Sequence, residues 1–427
     1  MIENAHGGSQ VASPHRSAEV TGRYVVVMPD GADPAPVLTQ VAGMRTVASS
    51  RDFGAQAVDM DSAGGSEGMV FAELGIAVVE ADPDQVGALQ AAVGDPTAAV
   101  QTVVPELIYH ILPAPGFLEG YRAGVEDLSR RLGEDPGERP GPVFEDGEDA
   151  TWGLHAIGWA PDSPAGAGIR VAVLDTGMDL EHPDFAGRAV TAKSFVEGEG
   201  PQDGHGHGTH CIGSACGGVS DQGRRYGVAS EAEIYAGKVL GDSGSGSDAG
   251  ILAGINWAVA NECAVISMSL GADVPEQHPP YVVAGRRALE RGSLIIAAAG
   301  NNADRPGDPG FVGTPANSPA VMAVGAVDSA LAVARFSARS LPGSGGQVDL
   351  AGPGVEVFSS WPMPERYHSI SGTSMATPHA AGVAAVWAAV TGRRGLELWA
   401  TLDKQSRRLE LPSVDVGAGL VQVGSEL

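Results

Sequence analysis

The chain has 427 residues, 43% of them hydrophobic and 18% charged, enough for one large soluble domain beside a small one. Its 26 basic and 52 acidic residues leave a net charge of −26, which argues against nucleic acid and anionic membrane as partners. Three cysteines, Cys211, Cys216 and Cys263, make no disulfide framework, and no apolar run reaches membrane-spanning length.

Residues 1–22 read as a polar, disordered N-terminus. The stretch 1–20 lacks the apolar core of a secretory signal, so the expected compartment is the cytoplasm, with export by an unrecognised route as the alternative. Residues 23–112 form a first folding unit. Arg23–Met28 is a strand closed by Pro29-Asp30-Gly31, and Pro34–Ser49 is helical. Ala55–Met60 and Gly68–Glu80 are strand-like, with Gly64-Gly65 turning between them. Asp82-Pro83-Asp84 caps a helix that runs to Val93, and Ala99–Leu112 is a last extended run. The order strand, helix, two strands, helix, strand predicts a small ferredoxin-like α+β unit. Residues 113–150 are rich in Pro, Gly and acid and read as a linker, with a short helix near 119–132.

Residues 151–427 alternate between strand and helix. Ile169–Leu174, Glu233–Leu240, Ala264–Leu270, Leu294–Ala299 and Val321–Val327 are apolar runs of strand length. Helical segments lie near 207–216, 248–262 and 280–291. The alternation predicts an α/β fold with a doubly wound, mostly parallel sheet, and places functional groups at the C-terminal ends of strands.

The most informative stretch is Gly372-Thr373-Ser374-Met375-Ala376-Thr377-Pro378-His379. It follows a loop over Pro362–Ser371 and opens a helix apolar on all sides, with Pro378 expected in the first turn. Ser374 then sits at a helix N-terminus, where free N–H groups favour negative charge. An N-cap serine would look the same, so the other segments decide. Asp175 ends a strand in Val173-Leu174-Asp175-Thr176-Gly177. His207 lies in His205-Gly206-His207-Gly208-Thr209-His210, and Asn301 ends a strand in Ala299-Gly300-Asn301. Amide hydrolysis needs these types together. An imidazole takes the serine proton, a carboxylate orients the imidazole, and an amide N–H meets the oxyanion.

These four segments resemble the subtilisin-like serine peptidases, the subtilases, from about Thr151 to Val423. The chain order Asp, His, Ser is theirs. The resemblance implies that Asp175 orients, His207 is the general base, Asn301 is the oxyanion donor and Ser374 is the nucleophile. His205, His210 and His379 are then structural, and Cys211 resembles the thiol of the proteinase K branch. Gly244, Ser245 and Gly246 resemble one strand that flanks an extended substrate, and Ser269, Leu270 and Gly271 the other. Gly313 resembles a residue beside the primary pocket. With Gly271, Ala272 and Gly313 small and no acid within Ala298–Asn302, that pocket is expected to prefer Leu, Phe or Tyr. Asp248 matches the rim of a more distant pocket, where it would favour a basic residue.

By the same resemblance, residues 23–112 are the zymogen's pro-domain, a folding chaperone and inhibitor. Leu112 would then fill the primary pocket and Tyr109 the distant one. Pro113 follows Leu112, so the bond between them is a tertiary amide, which serine peptidases cleave poorly. Protein or peptide substrates and the chain's own pro-domain are the partners implied. No cofactor is required for the chemistry, but structural calcium is implied at Asp184. The adjoining loop over Gly218–Arg225 lacks the family's Asn and carries Arg224-Arg225 instead. Two other readings remain: zinc held by His205, His207 and His210, and an inactive binding protein that keeps the fold.

Overall fold

The computed structural model describes residues 18–95, 98–112, 143–341 and 346–424. β1 (Val20–Val27) leads into α1 (Pro34–Gln40), whose N-cap Asp33 accepts from the Ala35 N–H at 3.1 Å. A short edge strand, β2 (Val47–Ser49), and a single turn, α2 (Met60–Ala63), follow. β3 (Gly68–Phe71), β4 (Ile76–Val79), α3 (Pro83–Ala91) and β5 (Thr102–Ile111) complete the first unit. Its strands lie in the order β5-β1-β4-β3-β2, with β1 antiparallel to both neighbours.

The ferredoxin-like order is present, but four details differ from the sequence reading. The expected strand over Ala55–Met60 is irregular, and Ala55 and Gln56 have positive φ. The run expected as one strand over Gly68–Glu80 is the β3-β4 hairpin, reversed where Gly75 adopts φ +55°. The helix from Pro34 also stops early, because Gly43 turns the chain at φ +66°. Strand β1 begins at Val20, inside the stretch read as disordered, whereas 1–17 lie outside the described residues.

The C-terminal end of β1 is buried on both faces, and alternate residues there serve different cores. Val26 packs with Leu38 of α1 and Leu89 of α3. Val25 and Val27 face the second unit. The proposed linker helix near 119–132 lies outside the described residues. The end of the stretch read as linker packs on the second unit: the Phe144 N–H donates to the Ser329 carbonyl at 2.8 Å, and Asp146 accepts from the Trp152 N–H at 2.8 Å.

The second unit begins with α4 (Trp152–Ala156), β6 (Arg170–Asp175), β7 (Val190–Ser194), α5 (His207–Cys216) and β8 (Glu233–Lys238). Then come β9 (Ser245–Ser247), α6 (Asp248–Ala260), β10 (Val265–Met268), β11 (Leu270–Gly271), α7 (Pro279–Glu290) and β12 (Leu294–Ala298). The remainder is β13 (Met322–Val327), β14 (Leu350–Pro353), β15 (Val357–Ser360), β16 (Tyr367–Ile370), α8 (Thr373–Thr391), α9 (Gly395–Gln405) and α10 (Ser413–Val416). Seven strands form a sheet in the order β14-β13-β12-β10-β6-β8-β7, all pairs parallel.

Both faces are covered, as a parallel sheet requires. Val171 and Val173 of β6 point to the core around α5 and α8, while Ala172 and Leu174 point to the core around α6 and α7. The loop expected over Pro362–Ser371 carries β16, which pairs antiparallel with β15.

Two buried charges join the units. Arg287 of α7 donates to the Met28 carbonyl at 2.7 Å, to the Leu74 carbonyl, and to Asp30 at 3.1 Å. Glu106 of β5 is fully buried and accepts from the Ala249 N–H, in the first turn of α6, at 2.9 Å. Arg23 pairs with the same carboxylate at 2.6 Å. Arg287→Ala removes the charged donor and leaves carbonyls unpaired, so it is expected to weaken docking by about 2–4 kcal/mol. Limited proteolysis should then release the first unit sooner than in the parent chain.

Candidate active site

Strand ends and helix starts carry the four expected residues, and Asp175 and His207 meet directly. Asp175 closes β6 and is fully buried. Its Oδ1 accepts from the Thr176 N–H at 2.8 Å and lies 2.8 Å from His207 Nδ1. His207 is the first residue of α5. Gly206 precedes it at φ +109°, and a Cβ there would meet Trp361 at 2.4 Å, so only glycine fits. Gly208 is equally constrained, since its Cβ would lie 2.2 Å from the Gly177 carbonyl oxygen.

Sequence reasoning set Asp203 only beside the histidines of the zinc reading and missed its role at the helix start. Its buried carboxylate accepts from the Gly206 N–H at 2.8 Å, from the Thr209 N–H at 2.8 Å and from the Thr209 hydroxyl at 2.6 Å. It therefore supplies the cap that Gly206 cannot, and it fixes the start of the helix that carries His207. An acid just before a helix start was the available signal.

Ser374 lies in the first turn of α8. Pro378 is not in the first turn, as expected, but inside the helix, where it has no N–H to give the Ser374 carbonyl. That carbonyl accepts instead from the Ser269 hydroxyl at 2.7 Å and from the Cys211 thiol at 3.6 Å. Ser269 thus braces Ser374 from outside its helix, and its own carbonyl accepts from the Ser374 hydroxyl at 3.3 Å. Cys211 also lies 3.8 Å from His207 Nδ1, one helical turn on. Burial raises the Cys211 pKa, so the thiol stays protonated.

Asn301 follows β12. Its Oδ1 accepts from the Thr373 N–H at 2.9 Å and the Thr373 hydroxyl at 2.8 Å, which turns Nδ2 toward the cleft. There Nδ2 donates to the Leu112 carbonyl at 3.4 Å.

The end of β5 occupies that cleft. It lies antiparallel to β9 on one side, pairing Tyr109 with Gly246 and His110 with Ser245. On the other side it pairs Ile111 with Leu270 and His110 with Gly271 of β11. The Ile111 N–H donates to the Gly244 carbonyl at 2.9 Å. Leu112 packs on Gly271, where a Cβ would come 3.1 Å from its methyl group. Gly313 forms the wall behind, its N–H donating to the Ala299 carbonyl at 3.2 Å.

Burial pulls the His207 pKa down, but the Asp175 charge and hydrogen bond outweigh it and hold the imidazole well above its usual value. His210 points elsewhere, to the Val357 carbonyl at 2.9 Å, and burial lowers its pKa to about 3. His379 sits on the Met375 carbonyl at 2.8 Å, and burial lowers its pKa to about 4. With His210 turned to Val357 and His207 to Asp175, the three imidazoles of the zinc reading do not converge. Among the described residues, the metal-ligand types that do converge are Asp175, His207 and Cys211, already bonded to one another.

Residues 166–402 match the family model described as the subtilase family. This chain is a subtilase. The cuticle-degrading protease of Metarhizium anisopliae is 38% identical over 259 residues, 57% of this chain and 62% of that relative. The chain thus spans less than two thirds of that protein. Subtilisin DY of Bacillus licheniformis is 41% identical over 222 residues, covering 52% of this chain and 77% of its own. The solved structure of sphericase aligns with a TM-score of 0.57 and 32% sequence identity, over 64% of this chain and 98% of that one. The cytoplasmic compartment expected from residues 1–20 is corrected by these relatives. They are of the extracellular subtilisin type, and the cuticle-degrading protease by its name acts on material outside the cell.

Calcium does not fit at Asp184 of this subtilase. The carboxylate is buried and accepts from the Tyr226 hydroxyl at 2.8 Å and the Tyr367 hydroxyl at 2.9 Å. The Arg366 guanidinium lies 3.8 Å away and pairs with Asp221 at 2.7 Å, so a fixed cation already stands beside the carboxylate. Burial raises the Tyr226 pKa, which keeps its hydroxyl a donor. Asp184→Ala is expected to cost about 1–3 kcal/mol by stranding the buried Tyr226 hydroxyl and removing the acceptor of Tyr367. The drop in Tm should be the same in excess calcium and in chelator.

Proposed function

We propose that the chain is a serine endopeptidase made as a zymogen. Ser374 attacks the carbonyl of an extended peptide while His207 accepts its proton. Asp175 holds the imidazole and stabilises its charged form. Asn301 Nδ2 and the Ser374 N–H take the oxyanion of the tetrahedral intermediate, which collapses to an acyl-enzyme as His207 protonates the leaving amine. Water then repeats the sequence and frees the acid. Every group named belongs to this chain, and no cofactor enters.

The observation that carries the reading is the Leu112 carbonyl, 3.4 Å from Asn301 Nδ2 at the end of a strand held on both edges. A substrate carbonyl at that point is where hydrolysis would occur. Protein and peptide substrates are therefore the partners we infer, bound as a third strand. The first unit would act as inhibitor while β5 stays in place, and as folding chaperone by covering the apolar face of α6 and α7. Ser374→Ala should abolish peptide hydrolysis and leave the fold intact. Retention of parental activity by that variant would reject the assignment.

Leu112 in this register also bears on maturation. Its next neighbour is Pro113, outside the described residues, so the bond at the oxyanion site is a tertiary amide. Serine peptidases cleave tertiary amides poorly, because the leaving nitrogen of such a bond carries a ring in place of a hydrogen. We infer that this bond survives, and that activation proceeds by cutting between Leu118 and Val143, before the segment anchored by Phe144 and Asp146. N-terminal sequencing of active material should read a start in that interval; a start at Pro113 would refute it.

The raised His207 pKa has a kinetic consequence. A general base works when neutral, so the acid limb of kcat/KM should lie above the free imidazole value. Asp175→Asn removes both the charge and the hydrogen bond that raise it. The limb should move to lower pH, and kcat should fall by about 10⁴-fold.

A further inference from the structure

Tyr109 is the fourth residue back from the carbonyl at Asn301. Neighbouring His110 is half exposed, but Tyr109 is fully buried, its ring edge-on to Tyr281 with centroids 5.5 Å apart. The pocket that receives it is not purely apolar. Asp248, Tyr281 and Thr314 are each fully buried, and all three act on the Tyr109 phenol. The Tyr109 hydroxyl, Asp248 Oδ1, the Tyr281 hydroxyl and Thr314 Oγ1 are all buried without a well-formed hydrogen bond of their own. Four such oxygens gathered at one point are costly unless a hydroxyl or a water links them.

The other oxygen of Asp248 is already committed. Oδ2 accepts from His278 Nε2 at 3.0 Å and from the Leu107 N–H of the bound strand at 2.8 Å. The acid is therefore not at the rim, and the expected preference for a basic residue there loses its basis. Its free oxygen faces a neutral phenol, whose proton burial and the nearby carboxylate hold in place.

We propose that this subsite reads a tyrosine hydroxyl, so that the enzyme selects peptides with Tyr at the fourth position before the cleaved bond. The inference rests on the peptidase reading above. A Phe or Leu would fill the volume but take away the one substrate hydroxyl among Asp248 Oδ1, Tyr281 and Thr314, so that no small adjustment of the bound strand could pair them. Sites built to bond a hydroxyl reject analogues that lack it more strongly than apolar pockets reject a change of size.

The test uses the activated full-chain enzyme and peptide anilides with Leu at the cleaved bond. The fourth residue is Tyr, Phe, O-methyltyrosine or Lys. Tyr is expected to exceed both Phe and O-methyltyrosine in kcat/KM by about 10-fold or more. Asp248→Ala should bring the Tyr-to-Phe ratio close to one, and if that variant does not fold, the parental series alone decides. Equal rates for Tyr and Phe, or a preference for Lys, would overturn the subsite while leaving the peptidase reading standing. Failure to hydrolyse any of the anilides would overturn both.

Discussion

The cleft depends on one strand register. β5 leaves the small sheet, where it pairs with β1, and ends between β9 and β11. A shift of one residue would turn every side chain to the opposite face. Leu112 would leave Gly271, Tyr109 would leave its buried oxygens, and a different carbonyl would meet Asn301. The register is set at the entry to the cleft, by Glu106 at the first turn of α6, and farther off by Arg287 beneath the β3-β4 hairpin. Docking and cleft occupancy are thus one event.

Much of this was legible from the chain. Asp175, Asn301 and Ser374 sit where strands end or a helix begins, and short motifs mark such junctions because glycine must permit close approach. Central strands were equally clear, since burial on both faces leaves uninterrupted apolar runs such as Leu294-Ile295-Ile296 in β12. Edge strands were not. β7 (Val-Thr-Ala-Lys-Ser) is half exposed and mixes polar with apolar residues. β14 ends in Gly-Pro, which reads as a turn and is tolerated because the strand lies at the sheet's edge.

What could not be read was any interaction that depends on a partner distant in sequence. Asp184 has the position of a metal ligand, yet Tyr226, Arg366 and Tyr367 surround it. Only the arginines of the neighbouring loop hinted at this, and they turned out to hold the carbonyls of Gly147 and Gly227. Asp248 was placed correctly along the chain but at the wrong depth, because burial by α7 and by the incoming strand is a tertiary fact. Its second partner, His278, lies beyond β11.

Pro378 leaves the Ser374 carbonyl outside the helix's own bonding, and three separate pieces of chain then meet at one peptide unit: α8, Cys211 from α5, and Ser269 between β10 and β11. Ser374 is therefore anchored to the sheet rather than to its helix. Fraying of the first turn of α8 alone would not release it, whereas loosening the junction of β10 and β11 would. Since that same junction supplies one edge of the groove that holds β5, heat should loosen Ser374 and release the strand in a single cooperative step, with no intermediate stage that keeps one without the other.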